Sequence, residues 1–112
     1  MAQKKQKVYK TTALLKKLGH FITAKHINST RSGEGVRNQI EIEFENGFVF
    51  QSYDSIIGIF YKGRYYFSRL HDYKTTTPKY CHVWCGLTTK ERQRGLDDGT
   101  YGLLDATEIK KY

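Results

Sequence analysis

The chain has 112 residues, 38% apolar and 14% aromatic, enough for one domain to bury a core without disulfide or metal staples. Its 19 Lys and Arg against 11 Asp and Glu give a formal charge of +8, and residues 1–37 hold nine of those cations and only Glu34 of the acids, so the first third carries the whole excess. No run approaches the roughly 18 apolar residues of a membrane span, and no apolar segment follows the N-terminal lysines, so neither a spanning helix nor a secretory signal is expected and the composition points to the cytoplasm.

Residues 1–10 read as a basic flexible arm carrying Lys4, Lys5, Lys7 and Lys10, ahead of a single α+β domain over 11–112. Thr11 or Thr12 can cap a short helix that places Leu14, Leu15 and Leu18 on one face, leaves Lys16 and Lys17 to solvent and stops at Gly19. Residues 21–28 predict a strand, and 29–35 are turn material. Over 39–45 the alternation is clean: Ile40, Ile42 and Phe44 point to a core, while Gln39, Glu41, Glu43 and Glu45 form a wet face. Asn46-Gly47 supplies a type I′ turn into a partner strand over 48–53.

Asp54-Ser55 turns the chain into an apolar run, 56–61, that fits a central strand covered on both faces, and Lys62-Gly63 turns it again into 64–70. Thr77 is expected to cap a helix with Pro78 in its first turn and Gly86 as its stop. Thr88 or Thr89 opens a further basic turn ended by Gly95, with Asp97-Asp98-Gly99 a turn and an irregular tail holding at most one edge strand. The fold class expected is α+β: an antiparallel β-meander of four to five strands with two or three short helices packed against it.

The segment from Asn46 through Phe50-Gln51-Ser52-Tyr53-Asp54-Ser55-Ile56-Ile57-Gly58, followed by Tyr73-Lys74-Thr75-Thr76-Thr77-Pro78-Lys79, resembles a family of small uncharacterised proteins of bacteriophages and plasmids. Their pattern is an F-Q-S-Y-x-[ST]-x-[IV]-[AG] hairpin segment and a Y-x-x-T-T-x-K helix start, and the likeness covers about residues 46–85. It implies an origin in a phage or mobile element and carries no functional residue with it.

Cys81, His82 and Cys85, with His71 upstream, are metal-ligand types, but a C-x3-C pair on one helix lacks the C-x2-C knuckle and a second matching pair, so no metal is expected and reduced thiols are. No paired carboxylates in an apolar setting and no phosphate-cradling Gly loop accompany them, so neither a catalytic site nor a cofactor is expected. Lysines with few acids among them neutralise phosphates without reading bases, and an aromatic-basic strand adds stacking for unpaired bases. The expected nucleic-acid-binding residues are therefore Lys4, Lys5, Lys7, Lys10, Lys16, Lys17, Arg64, Tyr65 and Arg69. The expectation is a non-enzymatic phage-type accessory protein whose partner is nucleic acid, not sequence-specifically bound, or a ribonucleoprotein. The alternative is an inhibitor that binds a host protein complex, in the manner of anti-defence or anti-CRISPR proteins.

Overall fold

The computed structural model describes residues 7–29 and 33–105. Strands run over Val8–Tyr9 (β1), Phe21–Asn28 (β2), Gly35–Phe44 (β3), Gly47–Ser52 (β4), Ser55–Tyr61 (β5), Arg64–Ser68 (β6) and Gly102–Leu104 (β7). Helices run over Thr11–Lys17 (α1), Thr76–Cys85 (α2) and Thr89–Asp98 (α3), with a 3-10 turn at Arg69–Asp72. The fold is α+β. All seven strands join one sheet in the order β1-β7-β6-β5-β4-β3-β2, antiparallel from β2 to β6 and parallel where β7 lies between β6 and β1.

The expected four-strand meander is thus the centre of a larger mixed sheet. The tail strand β7 is interior rather than an edge: the long α2–α3 crossover returns the chain parallel to β6, and β1 pairs with its other side. Val8–Tyr9, inside the expected arm, is strand β1, while Lys4 and Lys5 lie outside the described residues.

Alternation along the strands builds two cores. Val49, Ile56, Ile59, Tyr66 and Leu104 meet Leu14 and Leu18 of α1 on one face. Phe50, Ile57, Phe67 and Leu103 meet Tyr80 and Cys81 of α2 and Leu96 of α3 on the other. Strand β5 serves both cores, which is what its unbroken apolar run predicts.

Because helices cover both faces of the sheet, the expected wet face of β3 is wet only at Glu45. Glu41 and Glu43 are half-buried, as are Ile40, Ile42 and Phe44, and Gln39 is fully buried with no hydrogen-bond partner for its amide. Glu41 keeps a charge partner in Lys25, 3.4 Å away on β2.

The hairpin over 39–52 forms, but its two turn residues are Glu45-Asn46, neither with positive φ. The backbone N–H groups of Glu45 and Asn46 donate to the carbonyls of His20 and Leu18, which pulls the turn one residue earlier than the Asn-Gly pattern indicates. Gly47 instead begins β4 where a Cβ would run into the Phe60 carbonyl and Leu18. At Lys62-Gly63 the expected tight turn is present, with φ of 50° and 73°.

The caps also differ from the sequence pattern. Residue Thr11 is the first residue of α1 and fully buried; its N–H (2.8 Å) and Oγ1 (2.7 Å) both donate to Oδ1 of Asp105, so the cap comes from a residue 94 positions away. Thr77 does not cap α2: it lies inside the helix, buried, its hydroxyl 3.0 Å from that of Ser52 on β4. Thr88 does cap α3, in a reciprocal box with Glu91. Helix α3 continues through Gly95 to a left-handed Gly99, and the ring of Tyr101 occupies the space a Cβ at position 95 would fill.

Candidate functional site

On α1, the spacing of Thr11, Leu14 and Leu18 turns one side of the helix into the core, so Lys16 and Lys17 are held outward. Lys10 precedes the helix and Lys7 precedes β1, both exposed. A helical rise of 1.5 Å per residue puts Lys10 and Lys17 about 10 Å apart along the axis. The ion pairs His20–Glu45 and Lys25–Glu41 involve other residues, and the Asp105 carboxylate at the start of α1 is bonded to Thr11.

The ridge continues onto the sheet through edge-on rings and the cations over them. The Lys7 ammonium lies 4.9 Å from the Tyr9 ring centre, and the Arg64 guanidinium lies 5.4 Å from Tyr9 and 5.1 Å from Tyr66. Arg64 also donates to the Tyr9 hydroxyl (3.1 Å) and to the carbonyls of Gly99 (3.0 Å) and Thr100 (3.3 Å), fastening the α3–β7 corner to β6. Hydrogen bonding to Arg64 lowers the Tyr9 phenol pKa, and the same bond raises that of Arg64.

Lys7, Lys10, Lys16, Lys17 and Arg64 are therefore brought onto one side of the molecule, the side that α1 covers. Tyr65 is not with them. Its ring points to the opposite face, stacked on Phe67 at 5.6 Å and edge-on to Trp84 and Tyr101, and burial raises its phenol pKa. A residue's neighbour on a strand faces the other way, so Arg64 and Tyr65 cannot serve one surface. Arg69 is exposed on the 3-10 turn, at the far end of β6 from Arg64.

A cleft of about 380 Å³ lies where the β4–β5 turn meets the start of α2, lined by residues that include Ser52, Tyr53, Ser55, Tyr73, Lys74 and Thr76. Tyr53 and Lys74 hold left-handed backbone at φ of 55° and 59°, and Asn38, at 72°, accepts the Tyr53 N–H through its carbonyl at 2.7 Å. Such strain in non-glycine residues is kept only where the surroundings demand it. Nothing in the residue types signals it, since Tyr and Lys are poor left-handed residues. The hairpin segment and the helix start that the sequence presents 20 residues apart are thus neighbours in space.

Cys81 and Cys85 sit one turn apart on α2 and are not disulfide-bonded; Cys81 is buried, Cys85 half-buried and His82 exposed. His71 is buried under the 3-10 turn, where desolvation and then the Arg92 charge lower its pKa. The described residues contain no group of three or more His, Cys, Asp or Glu placed to hold a metal ion, and no described helix is long and apolar enough to cross a membrane. No protein-family model, curated protein or solved structure matches the chain.

Proposed function

We propose that the chain is a non-enzymatic, phage-type accessory protein that binds nucleic acid, or a ribonucleoprotein, by charge through the ridge of Lys7, Lys10, Lys16 and Lys17. The observation that carries this reading is that four exposed lysines lie within eleven residues, two beside and two on the outward face of α1. Lysines of this kind neutralise phosphates and release counterions, which gives affinity without base readout. Lys4 and Lys5 add two cations to the same end of the chain. Arg64 supports the ridge by tying β1 to β6 across β7; Tyr65 is assigned to packing, and stacking of bases on it is dropped from the reading.

The test is binding of duplex and single-stranded oligonucleotides across a salt series. Four phosphate contacts are expected to give a log-log slope of roughly −3 to −4. Changing Lys7, Lys10, Lys16 and Lys17 together to Gln flattens the slope and weakens all sequences alike. Full retention of affinity and slope in that variant rejects the ridge.

A second reading, an inhibitor that docks on host machinery, is favoured by β2. It is an edge strand of eight residues, with Phe21 60% and Ile22 53% exposed. Unpaired edge strands accept a partner's strand through backbone hydrogen bonds. Pull-down from host lysate with and without nuclease separates the two: a protein retained stoichiometrically after nuclease supports the second, and loss of every partner supports the first.

A further inference from the structure

The cleft between the β4–β5 turn and the start of α2 lies on the α2 side of the sheet, whereas the lysine ridge lies on the α1 side. Its floor is apolar, from Ile57 of β5 and Leu70 of the 3-10 turn, and its rim carries the rings of Tyr53 and Tyr73, each 53% exposed. Tyr53 is fixed there. Asn38 accepts its N–H at 2.7 Å and the Gln51 side-chain amide donates to its carbonyl at 2.8 Å, so both of its backbone groups are bonded in the left-handed conformation. A left-handed tyrosine costs free energy that a buried ring would recover by packing, yet this ring is left half in water.

The polar end of the cleft holds hydrogen-bonding capacity that the chain does not spend. Ser52 and Thr77 bond to each other at 3.0 Å, which uses one hydroxyl proton and leaves the second to donate. Directly across from Ser52 on β3, the fully buried amide of Gln39 has no partner at either atom. Gln39 stands behind the cleft wall rather than on it, so the donor that the cleft itself offers is the Ser52–Thr77 pair. Native proteins rarely leave buried capacity of this kind unspent, and a molecule entering the cleft takes it up. At the rim, the Lys74 ammonium lies 5.3 Å from the Tyr73 ring centre, which presents a charge and a ring together. No described carboxylate lines the cleft.

We propose that this cleft takes one unpaired base of a single-stranded nucleic acid. Tyr53 and Tyr73 lie against the base, the free proton of the Ser52–Thr77 pair meets an acceptor on its edge, and Lys74 meets the neighbouring phosphate. The volume of about 380 Å³ is at the small end of the range for ligand sites, which suits a single base and not a base pair. The occupant is a strand rather than a free nucleotide, because Lys74 also lines an open groove that runs on along α2 past Lys79 and His82, again with no described carboxylate. Phosphates beyond the bound base have a cationic path there.

Resting on the nucleic-acid reading of the ridge, the cleft adds to it a choice of single strand over duplex. Charge alone weakens or strengthens binding alike for any phosphate polymer, whereas an aromatic rim needs an unpaired base and tolerates any of them. Extracting a base from a duplex costs stacking and pairing, so duplex binds at the ridge without reaching the cleft.

The experiment measures binding of a single-stranded oligonucleotide, its duplex and an abasic strand of the same length to the full chain, and maps cross-links from an iodouracil-substituted strand by peptide mass. The base-bearing strand is expected to bind more tightly than the abasic one, and the cross-link to fall on Tyr53 or Tyr73. Tyr53→Asn and Tyr73→Ala are each expected to weaken the strand roughly 10-fold and to leave duplex binding as it was. Lys74→Asn lowers the salt slope for the strand by about 0.7. Asparagine tolerates the left-handed backbone that positions 53 and 74 hold, so these variants keep the fold. A cross-link at the cleft that persists when Lys7, Lys10, Lys16 and Lys17 are Gln supports the cleft even where the ridge fails. Salt-dependent binding of all three polymers alike, with no cross-link at Tyr53 or Tyr73, overturns the cleft and leaves the ridge standing. Strand affinity unchanged by Tyr53→Asn together with Tyr73→Ala, or a free nucleoside monophosphate bound as tightly as the strand, also overturns it. Absence of binding by any of the three polymers overturns both.

Discussion

Two buried hydroxyls of this molecule are joined as a pair, and removing one strands the other. Ser52 and Thr77 are 2% and 5% exposed with their hydroxyls 3.0 Å apart, so each satisfies the other where β4 meets α2. Thr77→Ala is expected to cost about 1 to 2 kcal/mol, because a buried hydroxyl on Ser52 is left unpaired. A lost helix cap predicts a similar cost, so the double mutant decides. If the two hydroxyls act together, Ser52→Ala with Thr77→Ala costs less than the sum of the single changes in urea denaturation; strict additivity restores the capping reading. His71 is buried as well. Its folded pKa lies below the ordinary 6.5, so the native state holds it neutral while the unfolded chain binds a proton. Its contribution is therefore fully present above pH 6.5 and lost as pH falls from there through the lower folded value. Ring resonances of His71 are expected to remain those of neutral imidazole at pH 6.5, and half-titration there contradicts the assignment.

At the scale of elements, α3 contains a glycine that helix propensity alone argues against. Replacing an interior helix Gly with Ala ordinarily gains about 1 kcal/mol. Here the Tyr101 ring lies where that methyl would go, and Tyr101 in turn packs edge-on against Phe67 at 5.6 Å. Gly95→Ala is expected to destabilise, by the 1 to 3 kcal/mol typical of overpacking, with the melting temperature as the measure. A stabilised variant means that Tyr101 swings away without loss. The same logic explains why α1 has no side-chain cap of its own: Asp105, delivered by β7, supplies the acceptor.

At the scale of the molecule, the N-terminal segment is both a carrier of charge and a structural strand. Tyr9 pairs with Leu104 through β1 and β7, its carbonyl accepts the Asp105 N–H at 3.0 Å, and its ring packs edge-on against Tyr66 at 5.2 Å. Deleting residues 1–10 is therefore expected to lower the melting temperature as well as to weaken nucleic-acid binding, whereas the four-lysine Gln variant weakens binding with the melt unchanged. A deletion that melts like the full chain makes β1 dispensable and returns the segment to a mere tail.

The sequence by itself determined the local features that arise from neighbouring residues. The β3–β4–β5–β6 meander, the Lys62-Gly63 turn, the buried run of β5, the left-handed stops at Gly19 and Gly86 and the outward lysines of α1 all follow from period and turn chemistry within a few positions. Tertiary structure decided what depends on contacts across the chain. Whether Glu41 meets water depends on Val83 and Trp84 of α2, some 40 residues later, and the cap of α1 depends on Asp105. The turn at Glu45-Asn46 depends on the carbonyls of Leu18 and His20, and the meeting of Arg92 with His71 depends on where α3 folds back. For the candidate site the division is the same. The lysines were legible as types in order, while the separation of Arg64 from Tyr65 required knowing that both faces of the sheet are covered, so that one had to brace β1 and the other had to fill the core.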